Sequence, residues 1–138
     1  MILTVAPFVT IVILLVWMGF FMFGSLPLMI LKHDTPLDAR FIRSLFDVYY
    51  KAVLLTAAAG VLANAVAGRI VIAIGMAAVV LIALWSRRGI LGRMDRLRAV
   101  MTATDAGSIR QFRMLHVWGM VLNVAQLGAV CVGLVKAL

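Results

Sequence analysis

The 138-residue chain contains no glutamate, and its five acidic side chains are Asp34, Asp38, Asp47, Asp95 and Asp105. None of them falls in the middle of an apolar run. The intramembrane carboxylates that ion- and proton-coupled carriers use are therefore missing. Cysteine occurs once, at Cys131, which excludes an intrachain disulfide and any Cys/His zinc-type spacing. Cys131 sits deep in the last apolar run and reads as a small packing residue. The chain has no HExxH, no GxSxG, no phosphate loop and no intramembrane carboxylate pair. These absences lean the reading away from an enzyme. Charge of either sign is also scarce: 13% of residues are charged and 65% are hydrophobic. A soluble domain of this length could not bury so much apolar surface, and there is no room for a separate soluble domain.

What is there is a set of long apolar runs of membrane length. They predict an all-α, integral-membrane four-helix bundle with spans at about 3–31, 48–68, 70–86 and 114–136 and a basic amphipathic connection over 87–110. The first run is too long for a signal peptide and has no basic region before it, so it reads as a retained span. Pro27 predicts a kink near its end. "TPLD" places Thr35 as N-cap of the second helix, Pro36 at its first position and Asp38 three residues after the cap. "AGR" at 67–69 leaves room only for a tight hairpin between the second and third spans.

Basic residues divide unevenly between the two ends. The 31–51 connection holds Lys32, Arg40, Arg43 and Lys51, and the 86–113 connection holds Arg87, Arg88, Arg93, Arg96, Arg98, Arg110 and Arg113. The other end has only Arg69 and Lys136. By the positive-inside rule both connections are cytoplasmic and both termini periplasmic, in a bacterial inner membrane. The net charge of +8 is thereby a topology signal, with no call for nucleic acid as a partner. Trp85, Trp118, Tyr49 and Tyr50 fall near the cytoplasmic interface, where amphipathic rings are favoured. Within the second connection Ile90, Met94, Leu97 and Met101 recur at helical spacing between the arginines. Two readings follow: an amphipathic helix on the leaflet, with Arg87, Arg88, Arg93, Arg96 and Arg98 on lipid head groups, or an extension of the third span with a solvated basic face. Asp47 and Lys51, spaced i and i+4, predict an ion pair at the second span's entrance.

Two stripes of small and polar residues mark helix-contact faces. The second span repeats Thr56, Gly60, Asn64 and Gly68; the fourth carries His116, Gly119, Asn123, Gln126, Val130 and Gly133 on one face. Such glycines fit close packing or leave room for a ligand. One reading makes His116 a ligand to haem or a metal, or a proton-transfer group, with Arg110 and Arg113 gripping an anionic group and Asn123 lining the cavity. The other makes His116 and Asn123 hydrogen-bonding groups between helices. A second axial histidine would have to be His33, in "KHDT".

"VWMGFFMFGSLP", "FDVYYKA", "LGRMDRLRA" and "RQFRMLHVWGMVLN" together resemble an uncharacterised family of bacterial four-span membrane proteins, over nearly the whole chain. Its fourth helix opens in the style R-x-L-H-x-x-[SG]-x-x-x-N, matched by Arg113, Leu115, His116, Gly119 and Asn123. The resemblance implies a four-helix inner-membrane protein. A more distant similarity is to copper-resistance D type bundles and haem-biosynthesis membrane oxidases, which bind haem or metal through histidines. This chain has no histidine in its first span, so ligand roles are not carried over. The expected function is a non-catalytic accessory or scaffold subunit that docks to a larger membrane complex or self-associates. The alternatives are a haem-, metal- or lipid-binding protein using His116, and a small transporter.

Overall fold

The structure is a computed structural model that describes residues 2–30, 36–102 and 104–137. It is an all-α bundle. The helices are α1 (Ile2–Ile30), α2 (Pro36–Val66), α3 (Ile70–Ser86), α4 (Gly92–Val100) and α5 (Ala106–Ala137). A π-helical turn, Arg87–Leu91, joins α3 to α4 without a break. Four continuous helical stretches are long and apolar enough to cross a membrane, over Thr4–Ile30, Leu37–Val66, Ile70–Val100 and Ala106–Lys136. The protein is thus a multi-pass membrane protein, and its large exposed side chains fit that setting. Val16, Phe23, Leu55, Leu62, Val71, Leu81, Trp85 and Trp118 all face outward, an apolar surface that water would not tolerate but lipid solvates.

The inward side chains repeat every three or four residues. On α1 they are Ile11, Leu14, Met18, Phe21 and Ser25; on α2, Ile42, Phe46, Tyr49, Val53, Ala57 and Asn64. On α5 they are Phe112, His116, Asn123, Gln126 and Val130. A spacing near 3.5 keeps one seam of each helix against its neighbours, as in left-handed bundles. α1 passes unbroken through both Pro7 and Pro27.

The α2–α3 hairpin closes on Gly68. The Gly68 N–H bonds the Ala65 carbonyl at 3.0 Å and the Arg69 N–H bonds the Asn64 carbonyl at 2.8 Å. This pair of bonds is the Schellman arrangement, and it needs the left-handed backbone that Gly68 adopts at φ 72°. Gly68 therefore ends the second helix rather than extending its packing stripe. The expected N-cap Thr35 lies outside the described residues, but the helix begins at Pro36 with Asp38 in its first turn.

The segment after Ser86 follows the second of its two readings. It continues α3 without a break through Val100, between three and four further turns of helix, instead of lying apart as a separate surface helix. The inward positions of α3 run Met76, Val79, Ala83 and Ser86. The π turn adds one residue to the helical ring, so Ile90 and Leu91 both point inward, and Met94 follows them into full burial. The apolar face that a leaflet would have received is packed against the bundle. α5 starts at Asp105, whose carboxylate accepts the Ser108 backbone N–H at 3.1 Å and the Ser108 hydroxyl at 2.6 Å. These bonds satisfy a donor of the first helical turn, and they hold the Asp105 carboxyl below the usual range, the Ser108 hydroxyl contributing most.

Candidate functional site

The fourth-span stripe leads to a closed circuit of side chains from three helices. Asn123 on α5 donates through Nδ2 to the Tyr49 hydroxyl on α2 at 2.8 Å. The Tyr49 ring stacks on Phe21 of α1 with centroids 4.1 Å apart and planes 24° from parallel. Phe21 meets Phe46 edge-on at 4.8 Å. Phe46 in turn meets the ring of His116 edge-on at 5.5 Å, which returns the circuit to α5. His116, Phe21 and Phe46 are fully buried. Offset and edge-on ring pairs of this kind each contribute about 0.5–1.5 kcal/mol beyond their packing area.

Gly119 lies between His116 and Asn123 and explains how the circuit closes. A β-carbon placed on Gly119 would overlap the Phe46 ring. The glycine notch thus holds a phenylalanine of the chain itself, not open space. The circuit joins three helices through ring packing and the Asn123–Tyr49 hydrogen bond.

The other predicted site residues divide. Arg113 is exposed, and its Nη2 donates to the Met29 carbonyl at 3.0 Å. It supplies a cation to the last turn of α1, which has no basic residue of its own. Arg110 is exposed. The two arginines and the buried His116 therefore occupy different environments. His33 lies outside the described residues. Among the described residues no three His, Cys, Asp or Glu side chains converge as metal ligands.

On α2, Gly60 packs tightly: an added β-carbon would meet the Met76 methyl at 3.1 Å and the Thr10 hydroxyl at 3.4 Å. Asn64 is buried and donates to the Gly60 carbonyl at 2.8 Å, along its own helix. Thr56 is half-buried. Gly133 has nothing within 4 Å of where a side chain would start. It opens onto a groove instead of packing within the bundle.

The basic end carries an ion-pair network between α2 and the extended third helix. Arg43 grips Asp95 with two bonds, at 2.9 and 3.1 Å. Asp47 binds Lys51 at 2.6 Å and Arg87 at 2.9 Å, and lies 3.9 Å from Arg43. Arg98 stands 3.7 Å from Asp95. Two of the five arginines expected at head groups, Arg87 and Arg98, are engaged inside this network, whereas Arg88, Arg93 and Arg96 are exposed. Sequence reasoning found the Asp47–Lys51 pair but missed its links to Arg87, and it missed Arg43–Asp95. Phe21 and Phe46 were missed as well. Their signal was the 3–4 spacing of Leu14, Met18 and Phe21 and of Ile42, Phe46 and Tyr49.

No known protein family, curated protein or solved structure matches this chain.

Proposed function

We propose that the protein is a small, non-catalytic accessory or scaffold subunit of a bacterial inner membrane, with both termini on the periplasmic side. The observation that carries this reading is the Phe46 ring seated in the notch at Gly119. It supports a fourth-span stripe that serves helix packing, since the space a cofactor would need beside His116 is taken by the chain's own side chain. What remains for interaction is the outer surface. α5 offers Met114, Trp118, Val121, Val124 and Val132 outward and is the least buried of the four spans, so it is the helix best placed to meet a larger complex or a second copy. Membrane lipids cover the rest.

The orientation rests on the basic connections at one end. Cross-linking in intact membranes, followed by purification in mild detergent, tests the reading. The expected result is a covalent adduct through α5, either with another membrane protein or with a second copy. A lone monomer that captures nothing would overturn it. Single cysteines placed at residues 2 and 93 in a Cys131→Ala background test orientation. A membrane-impermeant thiol reagent added outside the inner membrane should label position 2 and spare position 93.

A further inference from the structure

A half-open cavity of about 580 Å³ lies at the end of the bundle away from His116 and the ion-pair network. The α2–α3 hairpin brings Arg69 to its rim, and the last turn of α5 brings Lys136. Its walls are apolar, from Ile72 and Met76 on α3 and Val130 and Leu134 on α5. Gly75 and Gly133 widen it, because neither has an atom within 4 Å of where a side chain would begin. The volume falls within the range of about 300–1,000 Å³ typical of small-ligand sites.

Among the described residues no carboxylate pairs with either charge at the rim. The described aspartates, Asp38, Asp47, Asp95 and Asp105, all belong to the opposite end of the bundle. The Arg69 guanidinium lies over the Phe8 ring, 4.6 Å from its centroid, and its Nη1 is buried without a hydrogen-bond partner. A buried guanidinium nitrogen left without an acceptor is costly, and an anionic oxygen would relieve that cost. No side chain caps the N-terminus of α3 beside it. Below these cations the groove offers only hydrocarbon. A ligand that satisfies both parts must carry a negative head and an apolar tail, and a chain embedded in a bilayer is surrounded by such molecules.

We propose that this groove binds one phospholipid with an anionic head group, its phosphate held by Arg69 and Lys136 and an acyl chain lying between α3 and α5. The site is independent of whether the protein docks to a larger complex.

The test uses the full-length protein in nanodiscs with two probes: phosphatidylglycerol and phosphatidylcholine, each carrying a photoactivatable diazirine in one acyl chain. The expected result is labelling of peptides spanning 70–79 and 129–134 that is at least threefold stronger with the anionic probe. Lys136→Gln, at an exposed position in the last turn of α5, should reduce that excess, and Arg69→Gln with Lys136→Gln should abolish it. Arg88→Gln with Arg93→Gln, at the other end, should leave it unchanged. Equal labelling by the two probes would overturn the proposal, as would an excess that survives loss of both Arg69 and Lys136. A groove that stays unlabelled, as it would if a protein segment covered it, would do the same.

Discussion

The ring of Phe46 occupies the place where residue 119 would otherwise carry a side chain. α2 and α5 can meet there only because position 119 is glycine. Gly119→Ala should force the ring or the helix to move, at a cost of about 1–3 kcal/mol as for other overpacked cores. A titration of unfolding in mixed micelles measures it. Phe46→Leu, which shortens the side chain facing the notch, should recover part of the loss when combined with Gly119→Ala. No recovery would mean that the glycine matters for some reason other than this contact.

The Asn123–Tyr49 bond links α5 to α2 through buried side chains. Interhelical hydrogen bonds in membranes average about 0.6 kcal/mol and reach about 1.7 kcal/mol, because the separated helices find other partners. Tyr49→Phe and Asn123→Leu should each destabilise the protein, and a double-mutant cycle should give a coupling within that range. Additive losses would show that the two side chains do not depend on each other.

His116 packs its ring on Phe46 in full burial. Purified protein supplemented with hemin should therefore give no new Soret band, and His116→Phe should leave the visible spectrum unchanged. A band that appears in the parent chain and vanishes in His116→Phe would establish the haem-binding reading instead.

The four-helix architecture was legible because hydrocarbon imposes it: apolar length alone marks the spans. The hairpin at 67–69 followed from the shortness of the link between two spans, and the inward face of α5 from 3.6-residue periodicity. The line of the third helix beyond Ser86 did not. A periodic apolar face over Ile90, Met94 and Leu97 fits a leaflet or a neighbouring helix equally well, and a single π turn decides which one it meets. Phe46 illustrates a second limit. The sequence shows that Gly119 makes room, but only the tertiary arrangement shows that a side chain 73 positions earlier fills it. The partner of Asp95 is long-range in the same way: Arg93 and Arg96 are nearer in sequence, but the bidentate geometry is made with Arg43 on another helix.

That Arg43–Asp95 pair is partly exposed, so its strength should be modest and sensitive to salt. Exposed pairs contribute about 0.2–1 kcal/mol, with bidentate arginine pairs toward the upper part of the range. Asp95→Asn should therefore leave the protein folded while speeding amide exchange over 92–100, the segment that the pair ties to α2. High salt should produce the same acceleration in the parent chain. The exchanged pair Arg43→Asp with Asp95→Arg should restore part of the protection. Exchange over 92–100 that ignores both the substitution and salt would show that Met94 and its apolar neighbours hold the segment unaided.

The start of α5 should titrate. The folded Asp105 carboxyl lies below its ordinary value of 3.8, chiefly because the Ser108 hydroxyl and then its backbone N–H favour the charged form. A depressed folded pKa adds stability that is present above the unfolded pKa and is lost as pH falls through the folded one. The helix start should therefore be intact at neutral pH and loosen only below about pH 4. The Ser108 amide chemical shift should follow this titration with a midpoint under 3.8. Asp105→Asn keeps a side-chain oxygen that can cap the helix but cannot titrate, so it should flatten the pH profile while preserving slow exchange of the first-turn amides. Asp105→Ala should lose both. A midpoint at or above 3.8, or a profile unchanged in the asparagine variant, would show that Asp105 is not the group that fastens the beginning of the helix.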